Sequence, residues 1–173
     1  MSDTSFHSYV RVFEHYLERI AHLMAQATPE ELEGRLTPES FTALENFAIA
    51  QGYVLRSLFP LLGREVPELA AASSVADVAA RGTFVRAQIA GLTPSGFAGA
   101  ETRAVTHVAG EATLTQPACD FITLYGMPNF FFHLNMGYAI LRAQGVAIGK
   151  GDFDGFHSYP KGFSFVTNAA ETV

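Results

Sequence analysis

Apolar residues recur at three- and four-residue steps over 5–27: Phe6, Tyr9, Val10, Phe13, Leu17, Ile20 and Met24. That spacing gathers them on one helix face and sets His7, Arg11, His15, Glu18 and His22 opposite. A second stripe follows in Phe41, Leu44, Ala48, Leu55, Leu58 and Leu62. It predicts a helix over 38–62, with Thr37 as cap, Pro38 at the first helical position and Gly63 just past the end. Val75, Val78, Val85, Ile89 and Leu92 predict a third helix over 74–92. Ser74 and Asp77 open it in the manner of a capping box.

The period then changes. In RAVTHVAGEATLT, β-branched residues flank an Ala-Gly-Glu turn, which predicts a short hairpin with Val105 and His107 on one side. A lone hairpin is marginal, so this one is expected to lie as a flap against the helices, with His107 an exposed or edge residue. The last long element spans 116–144. Pro128 cannot donate to Leu124 and its ring crowds that carbonyl, so a kink or restart is expected over 126–128. Gly145 is the expected C-terminal cap. The stretch 156–173 has no period; it is expected to drape over the helices through Phe156, Tyr159, Phe163 and Phe165, or to fray.

Four long helices with these connections point to an all-α protein, a four-helix bundle with a small β-hairpin between helices 3 and 4. Residues 1–155 then form one domain and 156–173 a C-terminal tail. The chain has 173 residues, 49% hydrophobic and only 16% charged, so much of it must be hidden from water. Residues 121–141 carry no Asp, Glu, Lys or Arg and are long enough to cross a bilayer. They also hold Pro128, Asn129, His133, Asn135 and two glycines, so a helix buried among helices is expected and no membrane partner.

Charge narrows the partners. Seventeen acidic and eleven basic residues give a net charge of −6 without a basic block, so nucleic acid is not an expected partner. The opening MSDTSFHSYV has no basic region followed by an apolar run, so no secretory signal is expected. A single cysteine, Cys119, cannot build a disulfide framework or a thiolate zinc cluster in one chain. It suits a reducing, cytoplasmic setting.

The chemistry centres on His133, in the most apolar run of the chain. His7 and His15 lie about 12 Å apart along a helix axis and cannot share an ion, so the histidines of the first helix are expected on a solvated face. For His133, one turn onward is Gly137 and one turn back is Asn129, and the second helix has no histidine. A closed metal site would have to recruit His107, His157 or carboxylates such as Glu45. No metal and no cofactor are therefore expected. An apolar setting favours a neutral imidazole, which makes His133 the candidate catalytic base. No second catalytic group stands at a telling spacing, and Cys119 lies fourteen residues upstream, beyond the proline break. Asn129 and His133, one turn apart, are expected to bond each other and the backbone disturbed at Pro128, or to face a ligand jointly. A small-molecule pocket at the kink would be lined by Asn129, His133, Tyr125 and Tyr138. GVAIGKG is not a phosphate loop: the spacing is one residue short, the Ser or Thr is missing, and it follows a helix. Its Lys150 is expected to pair with Asp152 or Asp154.

The fragments LTPESF, FAGAETRAVT, PNFFFH, YAILRAQGV and GKGDFDG occur in order. With them the chain resembles a domain-of-unknown-function family within the DinB-like superfamily, from the first helix to about residue 155. The resemblance implies a DinB-like four-helix bundle, often a homodimer. Many members of that superfamily hold a metal on three histidines, one from the second helix and two from a His-x-x-x-His pair on the last, and several are thiol-dependent transferases or isomerases. This sequence keeps at most His133 of that set, with Gly137 in the paired position. Three readings follow: a bundle that binds a small ligand near the last helix without that metal site; a metal- and thiol-dependent transferase or isomerase; and a homodimeric interaction protein without catalysis.

Overall fold

The computed structural model describes residues 3–160 and Phe163. Helix α1 (Asp3–Ala25) follows its stripe: Phe6, Val10, Phe13, Leu17, Ile20 and Leu23 are each at most 2% exposed. One further turn, α2 (Pro29–Leu32), is opened by Thr28 and Glu31, each side chain accepting the other's backbone N–H.

The next long helix, α3 (Ala43–Leu58), begins at Thr42 and not at Thr37. Thr42 Oγ1 accepts the Glu45 N–H at 2.9 Å, and Glu45 Oε2 accepts the Thr42 N–H at 2.7 Å. That reciprocal box satisfies two orphan donors at the helix end. Thr37 has Ser40 rather than Glu three residues on, and the pair closes a turn: Thr37 N–H donates to Ser40 Oγ and Ser40 N–H to Thr37 O. Phe41 consequently precedes the helix and is more than half exposed.

Helix α3 is buried on nearly every side. Leu44, Phe47, Val54, Leu55 and Leu58 share this with the polar Asn46, Gln51 and Ser57. A helix apolar most of the way round belongs at the centre of a fold, and α1, α4 (Val75–Ile89) and α6 (Met127–Ala143) pack against it. Helix α4 opens with the expected Ser74–Asp77 box and buries Val78, Val85 and Ile89.

The hairpin forms as β1 (Ala104–Ala109) and antiparallel β2 (Ala112–Pro117), with Ala104 opposite Pro117 and Ala109 opposite Ala112. The two-residue turn needs a positive φ, which Gly110 supplies at 61°. Short α5 (Ala118–Asp120) leads into a π-helical segment, Phe121–Gly126, and then into α6. This is the break expected near Pro128, in the form of a wider turn: the Met127 N–H reaches five residues back to Ile122 O. Pro128 then sits in the first turn of α6, where its missing N–H costs no hydrogen bond. Two glycines let this stretch touch α3. A Cβ on Gly126 would lie 2.6 Å from Ser57 Oγ, and one on Gly137 would lie 2.5 Å from Phe47 Cε1.

The architecture is mostly helical with one small antiparallel sheet. Among the described residues there are seven α-helical segments where periodicity predicts four; α2, α5 and α7 (Lys150–Asp154) are too short to show a period. No helix among the described residues is long and apolar enough to cross a membrane.

The histidines of α1 are not a solvated face. Each is half-buried and holds an aperiodic segment: His7 Nε2 lies 2.9 Å from Leu92 O, His15 Nε2 2.7 Å from Asp154 O, and His22 Nε2 2.9 Å from Asp152 Oδ1. Asp154 accepts the backbone N–H groups of Phe156 and His157 and pairs with the His157 ring, which holds its carboxyl down at about 2. Both acids expected for Lys150 are thus engaged by histidines. Phe156 stacks on His15 at 4.9 Å yet remains largely exposed; Phe165 lies outside the described residues.

Candidate functional site

Helix α6 carries His133 to the flank of α3, where its partner is Asn46. His133 Nδ1 lies 2.9 Å from Asn46 Oδ1, so the proton sits on Nδ1 and the amide oxygen accepts. The Asn46 amide nitrogen donates back to Thr42 O at 2.8 Å and to Phe41 O at 3.3 Å. One buried amide therefore ties the start of α3 to the middle of α6. Asn129 does not meet His133; its Nδ2 donates to Tyr125 O at 2.8 Å, satisfying a carbonyl of the widened turn. The backbone half of the expectation for Asn129 holds, and the shared bond does not. Tyr138 lies elsewhere, edge-on to Phe153 of α7 and within reach of Arg142.

His133 is enclosed by rings. Tyr53 stacks on it at 5.7 Å and 19°, while Phe41 and Phe132 flank it at 6.2 and 5.1 Å. Burial, and secondarily the Arg56 guanidinium, hold its pKa below the ordinary 6.5.

The three-histidine metal set implied by the resemblance does not fit these residues. On α3 the group that meets His133 is a carboxamide already committed at both its oxygen and its nitrogen. A ligand at Gly137 would collide with Phe47. Among the described residues no cluster of three or more His, Cys, Asp or Glu is placed to hold a metal ion, so Glu45, His107 and His157 do not converge.

On the far side of Tyr53 the chain leaves a cavity of about 500 Å³ between α3, the 66–69 connection, β1 and the π-helical segment. Arg56, Pro60, Leu69, His107, Phe121 and Tyr125 are among its lining. His107 lies on an edge strand, as expected of one of two strands, but is half-buried rather than exposed. It packs at 4.1 Å on Tyr125 and 5.0 Å on Phe121, because Val105 beside it on the same strand face is core. Its Nε2 bonds Gln116 Oε1 at 2.8 Å, while its Nδ1 is buried without a protein partner. Burial, then hydrogen bonding to Tyr53, pushes the Tyr125 phenol up to about 12. Arg56 lies over the Tyr53 ring at 4.7 Å.

Of the residues expected at a pocket, the structure brings only Tyr125 into this cavity's lining; His133 stands behind it through Tyr53, and Asn129 through the Tyr125 carbonyl. Arg56, Tyr53 and Asn46 stand out little in the sequence. Their trace there is polar or aromatic residues interrupting the apolar helix 43–58. A larger hollow, about 630 Å³, lies beside the tail, but its acid Asp152 is engaged with His22 and its His157 with Asp154.

No curated protein matches the sequence. A crystal structure of a DinB family member protein from Shewanella denitrificans superposes with a TM-score of 0.74 at 22% identity, covering 87% of this chain and 92% of that one. The fold is therefore DinB-like. The sequence profile described as Domain of unknown function (DUF1993) matches residues 2–154. With nine-tenths of its length inside that profile, the chain belongs to the DUF1993 family.

Proposed function

We propose that this protein is a DinB-like helical bundle that binds a small molecule in the cavity beneath the hairpin, without the three-histidine metal chemistry of its superfamily. One observation carries the reading. The π-helical segment and the hairpin bring Tyr125, Phe121 and His107 together over a hollow of about 500 Å³, a size that suits small ligands. π-Helical turns are costly to a helix and concentrate at functional sites. The walls are mostly apolar with a few convergent polar groups, the usual composition of a ligand pocket. In this reading His133 is a positioning residue: bonded to Asn46 and stacked on Tyr53, which meets the lining residues Arg56 and Tyr125, it acts through them and does not act as a base.

A thermal-shift screen of a broad compound panel tests the proposal. A stabilising compound should lose its effect in Val66→Trp, which enlarges an exposed residue of the cavity's lining, and keep it in Tyr138→Phe. A compound whose shift is untouched by Val66→Trp, or a panel that yields no stabiliser at all, would sink the reading.

A second reading, self-association, is favoured by one feature: Phe41 and Phe132, both more than half exposed, present rings on either side of His133. Light scattering should show a dimer that Phe132→Ser converts to a monomer; a monomeric wild type at tens of micromolar rules it out.

A further inference from the structure

We infer that the cavity takes an organic monoanion, a carboxylate on an apolar body, with Arg56 as its anchor. This rests on the ligand-binding reading above and adds the class of ligand.

The charge distribution carries the inference. The chain has seventeen acids against eleven bases, yet no Asp or Glu lines this cavity. Arg56 does line it, is exposed, and takes part in none of the ion pairs among the described residues, which join His22 to Asp152, Arg35 to Glu45, Arg86 to Glu18 and His157 to Asp154. Its guanidinium is held against the Tyr53 face, a contact that orients the fork without satisfying its N–H donors. A second guanidinium stands near enough to feel it: Arg81, whose two terminal nitrogens donate to Ala48 O and Ala70 O, adds positive potential from outside the cavity's lining. An arginine whose planar donors face a largely apolar hollow is suited to a carboxylate, which accepts two parallel N–H bonds.

The same surroundings limit the ligand's charge. Arg56 lies in the last turn of α3, where the helix presents its negative end. The lining contains no lysine, and one guanidinium beside a helix C-terminus compensates a single negative charge better than a phosphate dianion. Pro60, Val66, Pro67, Leu69 and Phe121 shape the remainder for hydrocarbon, with Thr106 at the hairpin rim. A hollow of this volume suits a body of roughly 10–20 non-hydrogen atoms.

Isothermal titration of the full chain with 2-naphthoate, octanoate, phenyl phosphate and the neutral 2-naphthamide tests this. The carboxylates should bind at least tenfold more tightly than the amide. Arg56→Gln, checked for a wild-type circular dichroism spectrum and melting point, should abolish that margin and leave the amide's affinity unchanged. Val66→Trp should remove both. Equal binding of naphthoate and naphthamide, or naphthoate binding indifferent to Arg56→Gln, overturns the anion assignment while the cavity reading stands. Preference for phenyl phosphate overturns the monoanion. If naphthoate and naphthamide both fail to bind wild type, or bind Val66→Trp unchanged, the cavity reading falls with it.

Discussion

Asn46 and His133 are each half of one contact, and neither is interpretable alone. The imidazole was visible in the sequence as a polar residue in an apolar run; its partner was not, because the two lie 87 residues apart and meet only when α6 packs on α3. Asn129, at the conspicuous one-turn spacing, serves the backbone instead. Replacing Asn46 by Leu strips the acceptor from the half-buried His133 Nδ1–H, while Thr42 O keeps its bond from the backbone N–H of residue 46. The expected loss is about 1–3 kcal/mol, the cost of orphaning buried polar groups, read from urea unfolding. His133 also makes stability depend on pH. Unfolded, the imidazole takes a proton near its ordinary 6.5; folded, burial delays that to lower pH. The unfolded state thus binds more protons as pH falls, so the contribution is whole above 6.5 and is lost as pH drops through that value toward the folded one. Urea unfolding at pH 5 and 7 should show wild-type stability rising with pH more steeply than that of His133→Gln.

Among the elements, those with long apolar periods were readable. Helices α1 and α4 form where their stripes predict and bury most of those residues, though α4 stops at Ile89 and leaves Leu92 outside it, and the hairpin turns at Gly110. The start of α3 was not, because two threonines offered caps and the decision rested on which had an acid three residues on. The π-helical segment was foreseen only as a break at Pro128, since nothing in a one-dimensional period distinguishes a wide turn from a kink. Gly137 is the clearest case of a residue whose meaning is tertiary. In the sequence it is a helix-weakening glycine in the place of a metal ligand; in the fold it is the contact surface for Phe47. Gly137→Ala would intrude on Phe47 Cε1, and overpacking of this kind costs about 1–3 kcal/mol. A melting curve should show the loss, and Phe47→Leu added to the alanine variant should recover part of it.

At the scale of the molecule, the periodic segments form the interior and the aperiodic ones are fastened to it by side chains. Histidines of α1 hold the segment after α4 and the α7 region, contacts that no pattern within either partner announces. The candidate cavity has the same character: its walls come from α3, a connection, a hairpin and a widened helical turn, so its contents were legible only as isolated residues such as Tyr125. The widened turn has a bearing on how the molecule could be altered. Phe121–Gly126 holds more residues per turn than the helix after it, so the angular phase of what precedes it is set separately from that of α6. Excising one residue there, for instance the exposed Thr123, would let ordinary α-helical bonding run through. Helix α6 would stay seated on α3 through Gly126, His133 and Gly137, while Phe121 and the incoming strand swung about 100° relative to Tyr125. Such a shortened chain should melt cooperatively with unchanged helical circular dichroism and yet stabilise with none of the wild type's ligands, uncoupling foldability from recognition by the loss of one codon.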